Sequence, residues 1–113
     1  RPEVEVWSAW AGDRIAGIGA LRRLSATQGE IKSMRTDPDF VRRGVADAIL
    51  TTIVESACEL GMRRLSLETG SGAAFDPAIR FYRARGFEPG EAFGDYVSSD
   101  FNQFFHRDLT RAA

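Results

Sequence analysis

MRTDPDFVRRGVADAIL, residues 34–50, reads as the end of a strand, a tight turn marked by Asp37-Pro38-Asp39, and a helix opening at Arg42-Arg43-Gly44. The first N–H groups of a helix have no intrahelical acceptors, and the helix dipole adds partial positive charge there. A strand feeding a glycine-containing turn and a helix start is therefore a place where a phosphate can bind. The two arginines suit a diphosphate, but the same residues also fit an ordinary strand–helix connection whose arginines are solvated.

Outward from this stretch, the period of the apolar residues changes on either side. Before it, Val4, Val6, Ser8 and Trp10 alternate with Glu3, Glu5, Trp7 and Ala9, as in a strand with one face better buried. Gly12-Asp13 supplies a turn, and residues 15–24 form a second strand, completing a hairpin. Gly17 and Gly19 within it mark a bulge or a close backbone approach. Residues 30–36 make a third strand. After the turn, Val45, Ala46, Ile49, Leu50, Ile53, Ala57 and Leu60 fall at helical spacing up to Gly61. A strand follows at 64–69, then a second helix at 75–85 with Pro77 in its first turn, an irregular strand from Phe87, and a last strand at 101–109. In the second helix Ala78, Ile79, Phe81 and Tyr82 form the apolar side. The order predicts an α/β or α+β fold with helices packed on one mixed central sheet, and a right-handed parallel crossover over 30–69.

The length of 113 residues fits a single domain, 1–113, with 43% hydrophobic and 27% charged residues, both near a globular average. Fifteen basic and sixteen acidic residues leave a net charge of −1, which gives no footprint for nucleic acid or for an acidic membrane surface. No apolar run approaches a membrane span, and the single cysteine, Cys58, points to a reducing compartment, so a cytoplasmic protein is expected. Cys58 sits mid-helix with no histidine near it in sequence and reads as an inert thiol; His106 reads as a polar residue on a strand face. No Cys, His and acidic residues fall at metal-ligand spacing, so no metal is expected.

Two segments resemble the Gcn5-related N-acetyltransferases. Residues 37–50 are similar to the family's acetyl-CoA signature, Q/R-x-x-G-x-G/A, with Gly44, Val45 and Ala46 matching its second half and Ile49-Leu50 the hydrophobic pair that follows. Residues 78–87, AIRFYRARGF, resemble its A-x-x-x-Y-x-x-x-G-F helix. Residues 29–34 and 67–70 look like those of a small, mostly uncharacterised bacterial subgroup. The chain departs from the family in three places. Val41 stands where the signature has Gln or Arg, with Arg42 and Arg43 beside it as alternative charges; the asparagine often found before the second helix is replaced near Phe75; and nothing corresponds to the family's opening strand and two helices, which form one wall of the acceptor site.

The resemblance implies a GNAT-like mixed sheet and acetyl-CoA as co-substrate, its pyrophosphate held by the backbone of residues 42–46. It places Met34, Arg35 and Thr36 along the cofactor, with an N–H near Met34 or Arg35 as the oxyanion donor. Glu30 lies eleven positions before Val41, the offset of the catalytic glutamate in the family's histone acetyltransferases, and can take the amine proton directly or through a water. Glu68 is the alternative base. Tyr82 matches the tyrosine that faces the departing sulfur, and it also fits a half-buried aromatic of the helix core. Lys32, Arg35, Glu68, Phe93 and Tyr96 are candidate acceptor residues, and the two bases suit a carboxylate-bearing small amine. The expected activity is direct acetyl transfer to the primary amine of a small molecule. A non-catalytic acyl-CoA-binding module and a protein lysine or N-terminal acetyltransferase are the alternatives, and a homodimer is compatible with the family.

Overall fold

Alternating apolar residues and the turn at Gly12 close the first two strands, β1 (Val4–Ala11) and β2 (Arg14–Arg23), into an antiparallel hairpin in the computed structural model, which describes residues 3–109. β3 (Gln28–Thr36) pairs antiparallel to β2; a 3-10 turn (Pro38–Phe40) then leads into α1 (Val45–Glu59). The rest runs β4 (Arg64–Thr69), a second 3-10 turn (Ala73–Phe75), α2 (Asp76–Arg83), β5 (Glu88–Pro89) and β6 (Gln103–Asp108). The six strands form one sheet in the order β1-β2-β3-β4-β6-β5. β3 and β4, joined through α1, are the parallel pair, and the other pairings are antiparallel. This is the mixed sheet with packed helices that the alternation of periods predicts.

The core lies between α1 and the sheet. Ile49, Leu50, Ile53 and Ala57 of α1 pack on Leu21, Ile31, Leu65 and Leu67, and Tyr82, Phe87 and Phe105 close the end nearer α2. Each large apolar side chain so buried contributes about 1.5–3 kcal/mol. Leu60, expected on this stripe, is 45% exposed. The helix stops at Glu59 and the chain reverses at Gly61 (φ 83°), which takes Leu60 off the buried face; Val54 packs against the core instead. In β1, Trp7 and Ala9 meet the core, while Val4, Val6 and Trp10 are exposed.

Other boundaries shift for local reasons. β6 starts at Gln103 rather than 101 because the Ser99 hydroxyl captures the N–H groups of Phe101 and Asn102. β5 is two residues long and contains Pro89, which has no N–H for a ladder. α2 is shortened by the 3-10 turn before it and ends at Arg83.

One irregularity positions the site. Between the pairs Ile18–Arg35 and Ala20–Lys32, Gly19 alone opposes both Ser33 and Met34, a β-bulge with Ser33 in the left-handed region (φ 59°). A Cβ on Gly19 would lie 2.5 Å from Met34 Sδ and 2.6 Å from Ile49 Cγ2, so glycine here lets the bulge and α1 approach the sheet. The bulge shifts the alternation of β3 by one, so Met34 packs against the core and Lys32 faces away from it. No helix among the described residues is long and apolar enough to cross a membrane.

Candidate active site

β3 and β4 pair only at residues 28–30 against 64–66. Beyond Glu30 and Ser66 the two strands run on without a ladder between them, so backbone groups on the facing edges are left free for a ligand. Two cavities meet at this split, sharing Met34, Arg35, Ala78 and Tyr82.

The first, about 450 Å3, is a groove between the end of β3, the start of α1 and α2. Seven expected cofactor residues line it: Met34, Arg35, Thr36, Val41, Arg42, Val45 and Ala46. Arg43 and Gly44 do not; they shape the turn behind it. Gly44 caps α1 at φ 80° with no side-chain hydrogen bond to the helix start, and the first helical bond runs from Ala48 N to Gly44 O at 2.9 Å. The N–H groups of Val45, Ala46 and Asp47 therefore have no acceptor inside the helix. A Cβ on Gly44 would meet nothing within 4 Å, so the position needs glycine for its φ and not for space. Arg42 is also left-handed (φ 64°), and two such residues in one short turn aim several N–H groups at a common side. The Arg43 and Arg14 guanidinium groups stand 5.5 and 5.0 Å from the Phe40 ring, fixing that aromatic at the rim.

Asp47 would repel an anion at the helix start, but its carboxylate is engaged by Arg85 Nε at 2.7 Å. Arg85 also donates to Phe81 O at 3.0 Å and lies 3.8 Å over the Phe81 ring, so one side chain neutralises Asp47 and ties α1 to α2. The groove residues Phe40, Pro77, Ala78 and Phe81 were not anticipated. For Phe81 and Ala78 the signal was present, since both lie in the segment that carries Tyr82.

The second cavity, about 430 Å3, gathers Glu30, Lys32, Met34, Arg35, Glu68, Tyr82 and Tyr96. Phe93 is not part of it: the ring is buried beneath Tyr96, edge-on to Tyr96, Phe104 and His106, and supports the wall from behind. Glu30 is the centre of this cavity. Its side chain is 2% exposed; Oε2 accepts from the Tyr96 hydroxyl at 2.6 Å and lies 3.6 Å from Lys32 Nζ, which donates to the Tyr96 hydroxyl at 3.3 Å. Oε1 is buried with no hydrogen-bond donor. Burial lowers the Lys32 pKa, but the Tyr96 hydroxyl and the Glu30 carboxylate outweigh it, and the net shift is upward. The Tyr96 phenol is pushed up by burial first and by its bond to Glu30 second. The Glu68 side chain makes no ion pair or hydrogen bond among the described residues; its backbone lies in the ladder opposite Phe104.

Tyr82 projects from α2 to the junction of the cavities, buried to 7% exposure, with Phe81 and Phe87 edge-on at 5.2 and 5.5 Å. Its hydroxyl has no protein hydrogen-bond partner among the described residues, and burial raises its pKa far above the ordinary phenol value, so it remains a donor. Tyr82 is thus a core aromatic that also lines both cavities.

His106 is held in a buried chain. Gln28 Nε2 donates to Ser66 Oγ at 2.9 Å, Ser66 Oγ and His106 Nδ1 are 2.7 Å apart, and His106 Nε2 donates to the Glu91 carbonyl at 2.7 Å. The chain fastens the segment leading to Tyr96 onto the sheet. Cys58 is exposed on α1 and lines neither cavity. Among the described residues no three His, Cys, Asp or Glu side chains are grouped to hold a metal.

The model of the acetyltransferase (GNAT) family matches residues 1–87. YsnE of Bacillus subtilis (strain 168), named an uncharacterised N-acetyltransferase, is 51% identical over 108 residues, covering 96% of this chain and 72% of YsnE. YedL of Escherichia coli (strain K12), likewise named an uncharacterised N-acetyltransferase, is 46% identical over 108 residues, covering 96% of this chain and 68% of YedL. Among solved structures, a GNAT family acetyltransferase from Elizabethkingia anophelis with acetyl-CoA bound superposes with a TM-score of 0.79 at 16% identity, covering 96% of this chain and 78% of that one. With the family model spanning the hairpin through α2, and half the residues shared with YsnE over 96% of this chain, the protein belongs to the GNAT family of N-acetyltransferases.

Proposed function

We propose that the chain, as one domain over 1–113, transfers an acetyl group from acetyl-CoA directly to the primary amine of a small molecule, with both substrates held at once on either side of Tyr82. The observation that carries this reading is the meeting of the two cavities at Met34, Arg35, Ala78 and Tyr82, one with free helix N–H groups and the other with a buried carboxylate. The acetyl-CoA bound to the Elizabethkingia protein of the same fold supports the cofactor, as do the residues of the groove. The free N–H groups of Val45 and Ala46 suit a pyrophosphate, and the Asp47 charge that would oppose one is already paired with Arg85.

Acetyl-CoA supplies the activated thioester carbonyl, and the protein's residues do the rest. Free N–H groups on β3 at the bulge donate to the negative charge that develops on the carbonyl oxygen; Met34 offers backbone there, since its side chain is packed in the core. The amine, with a pKa of about 10.4, must lose a proton before it attacks, and Glu30 Oε1, buried without a donor, is the acceptor for it, directly or through one water. Tyr96 and Lys32 occupy Oε2 and so leave Oε1 as the working oxygen. Tyr82 donates a hydrogen bond to the sulfur as the C–S bond breaks. Because burial holds its proton tightly, the proton that ends on the thiol is the second one lost by the nitrogen. Cys58, exposed and away from both cavities, supports direct transfer over an acyl-enzyme. An unpaired, exposed thiol also suits the cytoplasm.

Release of coenzyme A with a panel of small primary amines, beside the melting shift given by acetyl-CoA, tests the reading. A shift together with release on at least one small amine is expected. A shift with release only on peptide lysines or N-termini would replace the acceptor class, and no shift at all would remove the cofactor.

A further inference from the structure

Glu30 belongs to a third cavity as well. Of about 390 Å3, it is lined by Arg22, Arg23, Leu24, Gly94, Asp95 and Tyr96 together with Glu30. Arg22 Nη1 lies 3.9 Å from Glu30 Oε1 across the β2–β3 pair, where the two residues are register partners; the Arg22 side chain is 48% exposed. Arg23 is turned elsewhere, its NH1 facing the Ser25 and Ala26 carbonyls at 3.5 Å. Asp95 is exposed.

Two demands follow for an occupant. A buried carboxylate oxygen without a donor is costly, so whatever enters should bring an N–H or O–H to Oε1. A guanidinium with only a distant carboxylate partner favours an anion that can meet it in bidentate geometry. A polyamine satisfies the first demand but brings no anion to Arg22. A simple alkyl amine leaves Arg22 unanswered. A molecule that carries both an amine and a carboxylate satisfies both. Glu30 and Tyr96 are shared with the cavity that holds Tyr82, so a ligand anchored at Arg22 runs along Glu30 toward the transfer site.

Resting on the acetyl-transfer reading above, we propose that the acceptor is a carboxylate-bearing amine, an amino acid or close analogue, whose carboxylate is held by Arg22 beside Glu30. Arg22 is then the residue that determines acceptor specificity.

The test uses the full chain, wild type, Arg22→Gln and Arg22→Lys, with pairs differing only in the carboxylate: alanine against ethylamine, and 6-aminohexanoate against pentylamine. Wild type should favour the acid of at least one pair by tenfold or more in kcat/KM, mainly through KM. Arg22→Gln should erase that preference, and Arg22→Lys should restore part of it. Equal use of both members by wild type would overturn the proposal. So would an Arg22→Gln that lowers kcat and moves the pH profile equally for both members, since Arg22 would then be only a counter-charge for Glu30. The melting shift given by the acids without acetyl-CoA is read in parallel. A shift that the amines do not give and Arg22→Gln loses would sustain the carboxylate site even if no coenzyme A were released, so the two readings fall separately.

Discussion

The groove beside α1 and the cavity around Glu30 meet at one tyrosine, yet they are built from different materials. The groove offers backbone: the uncapped start of α1, the left-handed Arg42 and Gly44, and an unpaired strand edge. The cavity offers charged and hydroxyl side chains, Glu30, Lys32, Glu68 and Tyr96, brought together from β3, β4 and the segment before β6. Each has one non-glycine residue in the left-handed region, Arg42 in the turn and Ser33 in the bulge, at about 1–3 kcal/mol each. On the proposed reading, the difference explains how Val41 can stand where the signature resembled by residues 37–50 has Gln or Arg. A backbone site tolerates the loss of one side chain, whereas a side-chain site does not.

That contrast breaks most visibly at Glu30. Glu30→Gln should lower kcat/KM by about 10²–10⁴-fold at neutral pH, the range for losing a positioned base, while the melting shift given by acetyl-CoA stays. Coenzyme A release assays across the acceptor panel check it; a loss of both turnover and cofactor binding would mean that the two cavities are one unit. Tyr82→Phe should come next, with kcat down by about 10²-fold, the lower end for losing one preorganised hydrogen-bond donor, and acetyl-CoA binding again retained.

The backbone side should respond in the opposite way. Gly44→Ala places a side chain at φ 80°, a strain of about 1–2 kcal/mol. If the helix start adjusts to relieve it, the Kd for acetyl-CoA, measured by calorimetry, should rise by roughly tenfold, with little change in the acceptor's KM. Val41→Gln, which restores the side chain of the signature, should tighten acetyl-CoA by less than about tenfold. A larger gain would show that the groove depends on side chains after all.

The same contrast governs what the sequence discloses. The groove was legible because its parts are contiguous: a turn, a glycine and a helix start within residues 37–50, and the central sheet followed from the change of period on either side. The candidate roles of Glu30 and Tyr82 came through a resemblance, and the structure brings both residues to the lining of one cavity. The Tyr96–Glu30 bond joins residues 66 positions apart, and no local pattern carries it. Phe93 was grouped with Tyr96 because the two are near in sequence, but three positions along an irregular segment put one ring in the cavity wall and the other beneath it. The Ser33 bulge was equally hidden, since serine gives no sign of a positive φ. Gly19 opposite it gave the only hint.

The smallest effect tests whether Tyr82 is the neutral donor its burial implies. An unfolded tyrosine loses its proton near pH ~10, while burial holds the folded Tyr82 proton well above that. Above pH ~10 the native state therefore binds more protons than the unfolded one, and stability falls as pH rises, by up to about 1.4 kcal/mol per pH unit for this one group. Tyr96 and Lys32, both raised, act in the same direction. Tyr82→Phe removes the steepest of these contributions, so urea melts should give parallel stability curves for variant and wild type below pH ~9 and a shallower decline for the variant above pH ~10. Curves that stay parallel at high pH would mean that water reaches the hydroxyl and that the folded chain holds this proton no more tightly than the unfolded one. Tyr82 would then be able to hand its own proton to the departing sulfur, and the second proton lost by the nitrogen would no longer be needed there.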